Sequence, residues 1–260
     1  MQVQPNNTRV QVPESVSHVT DAGSVDSELD DSTFLNPIGR NVLDSRCEKA
    51  TLLKSRKNTK IAIMNVRTIR QESQRTELAS NSSKQNIEIL GVVEHKIYHE
   101  NEDELEYHQL DQHILITSSA WRNSNNAASG GVGIFVSKTM ESALADIQRW
   151  NERILITYFS GNLKTTIIVH YAPVEGKSNA EEHYKNLTAA SASIPKHNVL
   201  LVVGDFNAHI GKNHGKYTFH NESNKNGQLA IDFAEEANML ITNTPTSRRI
   251  KGSYGHSSLI

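Results

Sequence analysis

From about residue 59 onward the sequence predicts a layered α/β domain, and three observations predict it. Several short runs are apolar on both faces, as strands covered by other layers must be. Helical patterns alternate with those runs. At or just past the C-terminal ends of these strands stand polar residues, namely Asn65, Glu94, Tyr171 and Asp205. Side chains at the strand ends of a rigid sheet can converge on one rim, a common way to build an active site.

The elements follow in order. Ile61-Ala62-Ile63-Met64 is a short apolar run fit for a buried strand, ending on Asn65. Residues 71–85 form a helix in which Leu78 is nearly the sole apolar anchor. Ile87 to Val93 is a second buried strand, leading into Glu94. His113 to Thr117 and Gly130 to Val136 are strands on either side of a polar, Asn-rich loop. Arg153 to Phe159 and Leu163 to His170 are β-branched runs separated by Ser160-Gly161-Asn162, and this spacing reads as a hairpin. A helix covers 179–192, and Val199 to Val203 is a strand closing on Gly204-Asp205. Gly227 to Ala237 is amphipathic, with Leu229, Ile231, Phe233 and Ala234 for its inner face. Met239 to Thr242 reads as a final strand.

Bulk properties narrow the classes. A chain of 260 residues holds one large α/β domain or two small ones. The apolar fraction of 37% is low for a fully packed chain. Residues 1–58 are rich in Ser, Asp, Asn, Gln and Val without periodicity, so they bury too little to offset ordering entropy. This segment is expected to be disordered, with a short helix near 46–54. A net charge of −2 exerts no global pull on nucleic acid, so a DNA partner needs a local basic face. Cys47 is the sole cysteine, which excludes a disulfide framework and fits a reducing compartment, nucleus or cytosol. No apolar run approaches the ~18 residues of a membrane span, and no secretion signal opens the chain.

The chemistry of the strand-end residues is that of oxygen ligands and proton acceptors. Glu94 either caps the next segment, pairs with Lys96 or binds a hard cation such as Mg²⁺, which needs only one or two protein carboxylates. Asp205 and Asn207 lie two apart after a buried strand, a carboxylate to accept a proton beside an amide to orient an oxyanion. On the bare tripeptide an Asx-type turn is the simpler explanation of the pair. Tyr171 precedes Ala172-Pro173 and offers a hydroxyl donor; Asn65 offers an amide; Asn226-Gly227 reads as a turn before a helix. His95 and His99 are four apart, but no third zinc ligand is placed by sequence. Gly130-Gly131-Val132-Gly133 lacks the lysine and serine of a phosphate loop, so its small residues read as aids to close sheet packing and no nucleotide cofactor is expected.

Taken in order, Asn65-Val66-Arg67, Val93-Glu94-His95-Lys96, Gly130-Gly131-Val132-Gly133, His170-Tyr171-Ala172-Pro173 and Gly204-Asp205-Phe206-Asn207 resemble the endonuclease/exonuclease/phosphatase superfamily. The run Asn226-Gly227-Gln228-Leu229-Ala230-Ile231-Asp232-Phe233, followed by Ile241-Thr242-Asn243-Thr244, resembles the endonuclease domain of non-LTR retrotransposons, a pattern shared by craniofacial-development-protein-2-like genes. The resemblance implies a four-layered α/β-sandwich, two facing mixed β-sheets flanked by helices, with the site at one end. It implies Mg²⁺ or Mn²⁺ held chiefly by Glu94, with Asn65 nearby. It makes Asp205 the residue that aligns or deprotonates the attacking water. Asn207 and Tyr171 would contact the scissile phosphate, with Asn226 at the same substrate site. The partner would be DNA and the reaction nicking.

Members of that family continue past the Thr-Asn-Thr strand to a Thr-Trp segment, an Ile-Asp-Tyr strand and a closing Ser-Asp-His. These do not occur here. The expectation is therefore a domain over 59–260 that lacks its last strands, with an open sheet edge and reduced activity. The alternatives are a non-enzymatic interaction protein on the same scaffold and a phosphatase of the same superfamily.

Overall fold

The computed structural model describes residues 59–161, 163–214 and 218–242, together with a short strand at 258–259. The expected disorder of residues 1–58 and the helix near 46–54 lie outside the described residues.

Two five-stranded sheets face each other. The first is built from β1 (Ile61–Asn65), β2 (Ile89–Val93), β3 (Leu105–Gln109), β4 (His113–Ser118) and β7 (Val132–Ser137), in the order β1-β2-β7-β4-β3. The second is built from β8 (Leu144–Asn151), β9 (Ile154–Phe159), β10 (Thr165–Tyr171), β11 (Val199–Asp205) and β12 (Ser258–Leu259), in the order β12-β11-β10-β9-β8. A small hairpin of β5 (Trp121–Arg122) and β6 (Ala128–Ser129) stands apart. Each large sheet mixes parallel and antiparallel pairs: β1 runs parallel to β2 and β10 parallel to β11, whereas β9 and β10 form the expected hairpin.

Three apolar layers hold this arrangement. Between the sheets, Ile89, Val93, Ile114, Ile116, Ile134 and Val136 meet Leu155, Ile167, Val169 and Val203. The alternate residues of β2, β4 and β7, Leu90, Val92, Leu115 and Phe135, face outward toward α1 (Glu72–Lys84). On the far side, Ile154, Ile156, Ile168 and Val202 pack against α3 (Ala180–Ala192) and α4 (Lys225–Glu236). Strands buried on both faces are what the unbroken Val/Ile/Leu runs predicted, because an α/β/β/α sandwich leaves neither face of a central strand to water. At ~25 cal/mol per Å² of apolar surface, these layers are the main favourable term in folding.

Several elements differ from the sequence reading. Met239 to Thr242 forms no strand: Met239 and Ile241 instead pack onto the α3–α4 layer, and β12 takes the place beside β11. Helix α4 begins at Lys225, so Asn226 and Gly227 sit inside its first turn rather than before it; Asn224 caps it, accepting from the Gly227 N–H at 2.7 Å. The strands β3 and β8 and the short helix α2 (Lys138–Glu141) escaped the pattern. Both strands lie at sheet edges and are largely half-buried or exposed, so they lack the two-faced apolar signature. None of the helices in the described residues is long and apolar enough to cross a membrane.

Candidate active site

The parallel pairs deliver the strand-end residues to one rim. Asn65 closes β1 in register with Val93, and Glu94 follows directly. Tyr171 and Asp205 are register partners at the ends of β10 and β11. Because the two sheets face each other, all four side chains meet. The Asn65 amide Nδ2 donates to Glu94 Oε1 at 2.8 Å and to Asp205 Oδ2 at 3.1 Å, joining two carboxylates from opposite sheets. The Tyr171 hydroxyl donates to the same Glu94 Oε1 at 2.8 Å. Asp205, 4% exposed, also accepts from the Asn207 backbone N–H at 3.0 Å.

Glu94 sits in the left-handed region, φ 59°, as does Lys96, φ 58°. Such backbone is costly for non-glycine residues and persists only where neighbours over-determine it. Here the Glu94 and Lys96 N–H groups donate to the carbonyls of Gly131 and Gly130, each at 2.9 Å. Gly130 and Gly131 have positive φ themselves, and they must be glycine: a Cβ would stand 1.9 Å from the Trp121 ring and 2.5 Å from the His95 ring. The sequence reading of this Gly-rich run as sheet packing holds for Gly133, whose added Cβ would meet the Ile116 carbonyl at 2.9 Å, but Gly130 and Gly131 serve the site.

His95 is structural. Its Nδ1 accepts from the Ile97 N–H at 3.0 Å, so Nε2 carries the proton and donates to the Ser118 and Val132 carbonyls at 3.1 and 3.2 Å. His99 is likewise buried, its ring between the Glu104 carbonyl and the Thr117 hydroxyl. Neither ring offers a free nitrogen to the Glu94 site.

Asn207, φ 45°, donates its amide to the Ala172 carbonyl at 2.7 Å, tying the β11 and β10 loops together. Asn226 joins the same loops from the first turn of α4. It is 0% exposed, and its Nδ2 is engaged by the carbonyls of Pro173 and Asn207 at 2.8 and 3.0 Å. Its place is beneath the site, where it holds both loops.

Tyr171 is held protonated. Burial raises its pKa first, then its bond to Glu94 and the charges of Glu94 and Asp205, against a smaller opposing pull from Arg153. It therefore remains a donor at neutral pH. Two features escaped sequence reading. The Arg153 guanidinium lies 4.0 Å from the Trp121 ring centroid, and Trp121 stacks beside Tyr171 with centroids 6.1 Å apart. No local pattern marks either residue, because their contact depends on how β5, β9 and β10 are brought together.

The donor set fits a hard divalent cation. Two carboxylates and an amide share one rim, and Mg²⁺ takes one or two carboxylates with water completing its shell. Asn65 presents its nitrogen to both carboxylates, so a ligating role needs the amide turned to offer Oδ1. Among the described residues no group of three or more His, Cys, Asp or Glu is placed to hold a metal, so the cation would rest on Glu94 and its immediate neighbours.

Two opposed sheets with helices outside and a polar rim at their strand ends define the AP-endonuclease-like α/β-sandwich fold. AP endonuclease LMAP from Leishmania major superposes with a TM-score of 0.50 at 13% identity, covering 69% of this chain and 67% of that one, a likeness that shows the fold. No family model matches the chain. Craniofacial development protein 2 of Bos taurus is 28% identical over 167 residues, 61% of this chain and 26% of that protein. The Tragulus javanicus protein of the same name is also 28% identical over 167 residues, 27% of its length. The matched region thus spans about a quarter of the length of these curated relatives.

Proposed function

We propose that residues 59–260 form a divalent-metal-dependent phosphodiester-cleaving domain that acts on DNA, of non-LTR retrotransposon origin, preceded by a separate polar segment over 1–58. The observation that carries it is the single Asn65 amide holding Glu94 and Asp205 from opposite sheets, with the Tyr171 hydroxyl on Glu94. The origin is supported by the sequence resemblance around Asn226 to Thr244.

In this reading Asp205 aligns the attacking water and accepts its proton, its second oxygen fixed by the Asn207 N–H. Tyr171, kept protonated, would turn its single hydroxyl proton from Glu94 Oε1 to a non-bridging phosphate oxygen as substrate binds, and Asn207 would contact the same phosphate. Glu94, with Asn65 at its side, holds Mg²⁺ or Mn²⁺. The cation supplies positive charge to the phosphate and the departing oxygen.

The test is Mg²⁺-dependent nicking of supercoiled plasmid, with inositol phosphates as the competing substrate class. Glu94→Ala and Asp205→Ala should each lower the rate by ~10²–10⁴-fold. Unchanged rates would refute the assigned site, and preferred turnover of inositol phosphates would refute the DNA substrate. A melting curve adds a readout without turnover. Mg²⁺ should raise the melting temperature of the wild-type chain and leave that of Glu94→Ala unmoved, since a ligand bound only by the folded state stabilises it.

A further inference from the structure

We propose that Arg153 is a positioning residue that sets the Tyr171 phenol, acting together with Trp121; the proposal rests on the reading of Tyr171 as a phosphate-contacting group. Arg153 stands just before β9, its side chain 15% exposed. Its contacts with Tyr171 are threefold. Arg153 Nη1 donates to the Tyr171 carbonyl at 3.2 Å, the Tyr171 N–H donates to the Arg153 carbonyl at 3.0 Å, and the guanidinium carbon lies 5.6 Å from the Tyr171 ring centroid. The same guanidinium lies 4.0 Å from the Trp121 centroid, and Trp121 stacks along Tyr171 at an interplanar angle of 23°.

Service to an ion pair does not explain this placement. The carboxylate facing Arg153 belongs to Glu152, half exposed and 3.9 Å from Nε, while Nε itself is buried and without a hydrogen-bond acceptor. A planar cation on an aromatic face, with one N–H on a backbone carbonyl, instead fixes the ring and main chain it touches. The phenol so fixed is the one whose hydroxyl reaches Glu94 Oε1. Trp121 in turn occupies space that only a glycine at 130 leaves open. The wall Gly130, Trp121, Arg153 and Tyr171 therefore ties the small β5–β6 hairpin to the strand ends of the second sheet.

The experiment compares Arg153→Ala, Arg153→Lys, Tyr171→Phe and the Arg153→Ala/Tyr171→Phe double variant in plasmid nicking. Arg153→Ala should lower kcat by about 10- to 100-fold, the scale of a misplaced catalytic group, with KM changed less than about twofold. Lysine should not restore it, and the double variant should be no slower than Tyr171→Phe alone. Additive losses, or a raised KM rescued by lysine, would overturn the proposal in favour of a direct phosphate contact. A second arm needs no turnover: the Tyr171 ring NMR signals, assigned by their loss in Tyr171→Phe, should carry a ring-current shift from Trp121. Arg153→Ala and Arg153→Lys should move them toward exposed-tyrosine values, with the remaining tyrosine signals unchanged; signals that stay in place would refute the role of Arg153. If the wild-type chain nicks nothing, the nuclease reading fails by itself and the ring signals still decide whether Arg153 sets the phenol.

Discussion

Moving the domain from neutral to mildly acid solution should destabilise it steeply, through histidines buried in their neutral form. His95 is 0% exposed, and burial brings its pKa from 6.5 to about 3. Its protonation would place a second N–H at Nδ1, directly against the Ile97 N–H that Nδ1 now accepts. His183, in α3, is also brought to about 3, by burial first and the charge of Arg153 second. Its Nε2 faces His170 Nδ1 at 3.2 Å, a contact that holds one proton between two nitrogens. His170 is lowered in the same sense by burial and by His183. In the unfolded chain each titrates near 6.5, so below that pH the unfolded state binds protons that the native state refuses. The stability these groups contribute is complete above pH 6.5 and is lost as pH falls toward their folded values. At 1.36 kcal/mol per unit, each of His95 and His183 costs about 2 kcal/mol between pH 7 and pH 5, or about 4 kcal/mol together. That is a large share of the ~5–15 kcal/mol holding a domain folded. Urea unfolding followed by circular dichroism at pH 7, 6 and 5 measures it directly. A change below about 1 kcal/mol would refute the argument.

Other outcomes follow from the geometry of the rim. Gly130→Ala should cost about 1–3 kcal/mol, because its Cβ meets the Trp121 ring at 1.9 Å in a left-handed backbone; chemical denaturation measures the loss, and the quantum yield of Trp121 in a Trp150→Phe background should change with it. Asn226→Ala leaves the Pro173 and Asn207 carbonyls without their donor and should lower stability by about 1–3 kcal/mol, with any activity falling through displacement of Asn207. Tyr171→Phe removes the donor on Glu94 Oε1; nicking should fall ~10²-fold or more, while the Mg²⁺-induced rise in melting temperature survives.

Most of the framework was legible along the chain. The runs at Ile61, Ile89, Ile154, Thr165 and Val199 form strands where their apolar and β-branched character placed them. Strands β2, β9 and β10, covered on both faces, are almost wholly buried, whereas β1 is an edge strand and only partly so. Edge strands such as β3 and β8 carry no such constraint, and their half-exposed residues resembled loops. Met239 and Ile241 were apolar for a helix layer rather than a strand, and periodicity over four residues cannot separate those fates.

The sequence by itself determined the chemistry available at each strand end: an amide at Asn65, carboxylates at Glu94 and Asp205, and a phenol at Tyr171. Tertiary structure decided what those groups do to one another. Asn65 and Asp205 are 140 residues apart and meet only because two sheets face each other with their parallel strand ends on the same rim. The same packing buried Asn226, turned Gly130 and Gly131 into the support of a left-handed Glu94, and set Arg153 and Trp121 against Tyr171. Local sequence governs backbone preference over a few residues, whereas contacts of this range depend on register and layer stacking that the whole fold must supply.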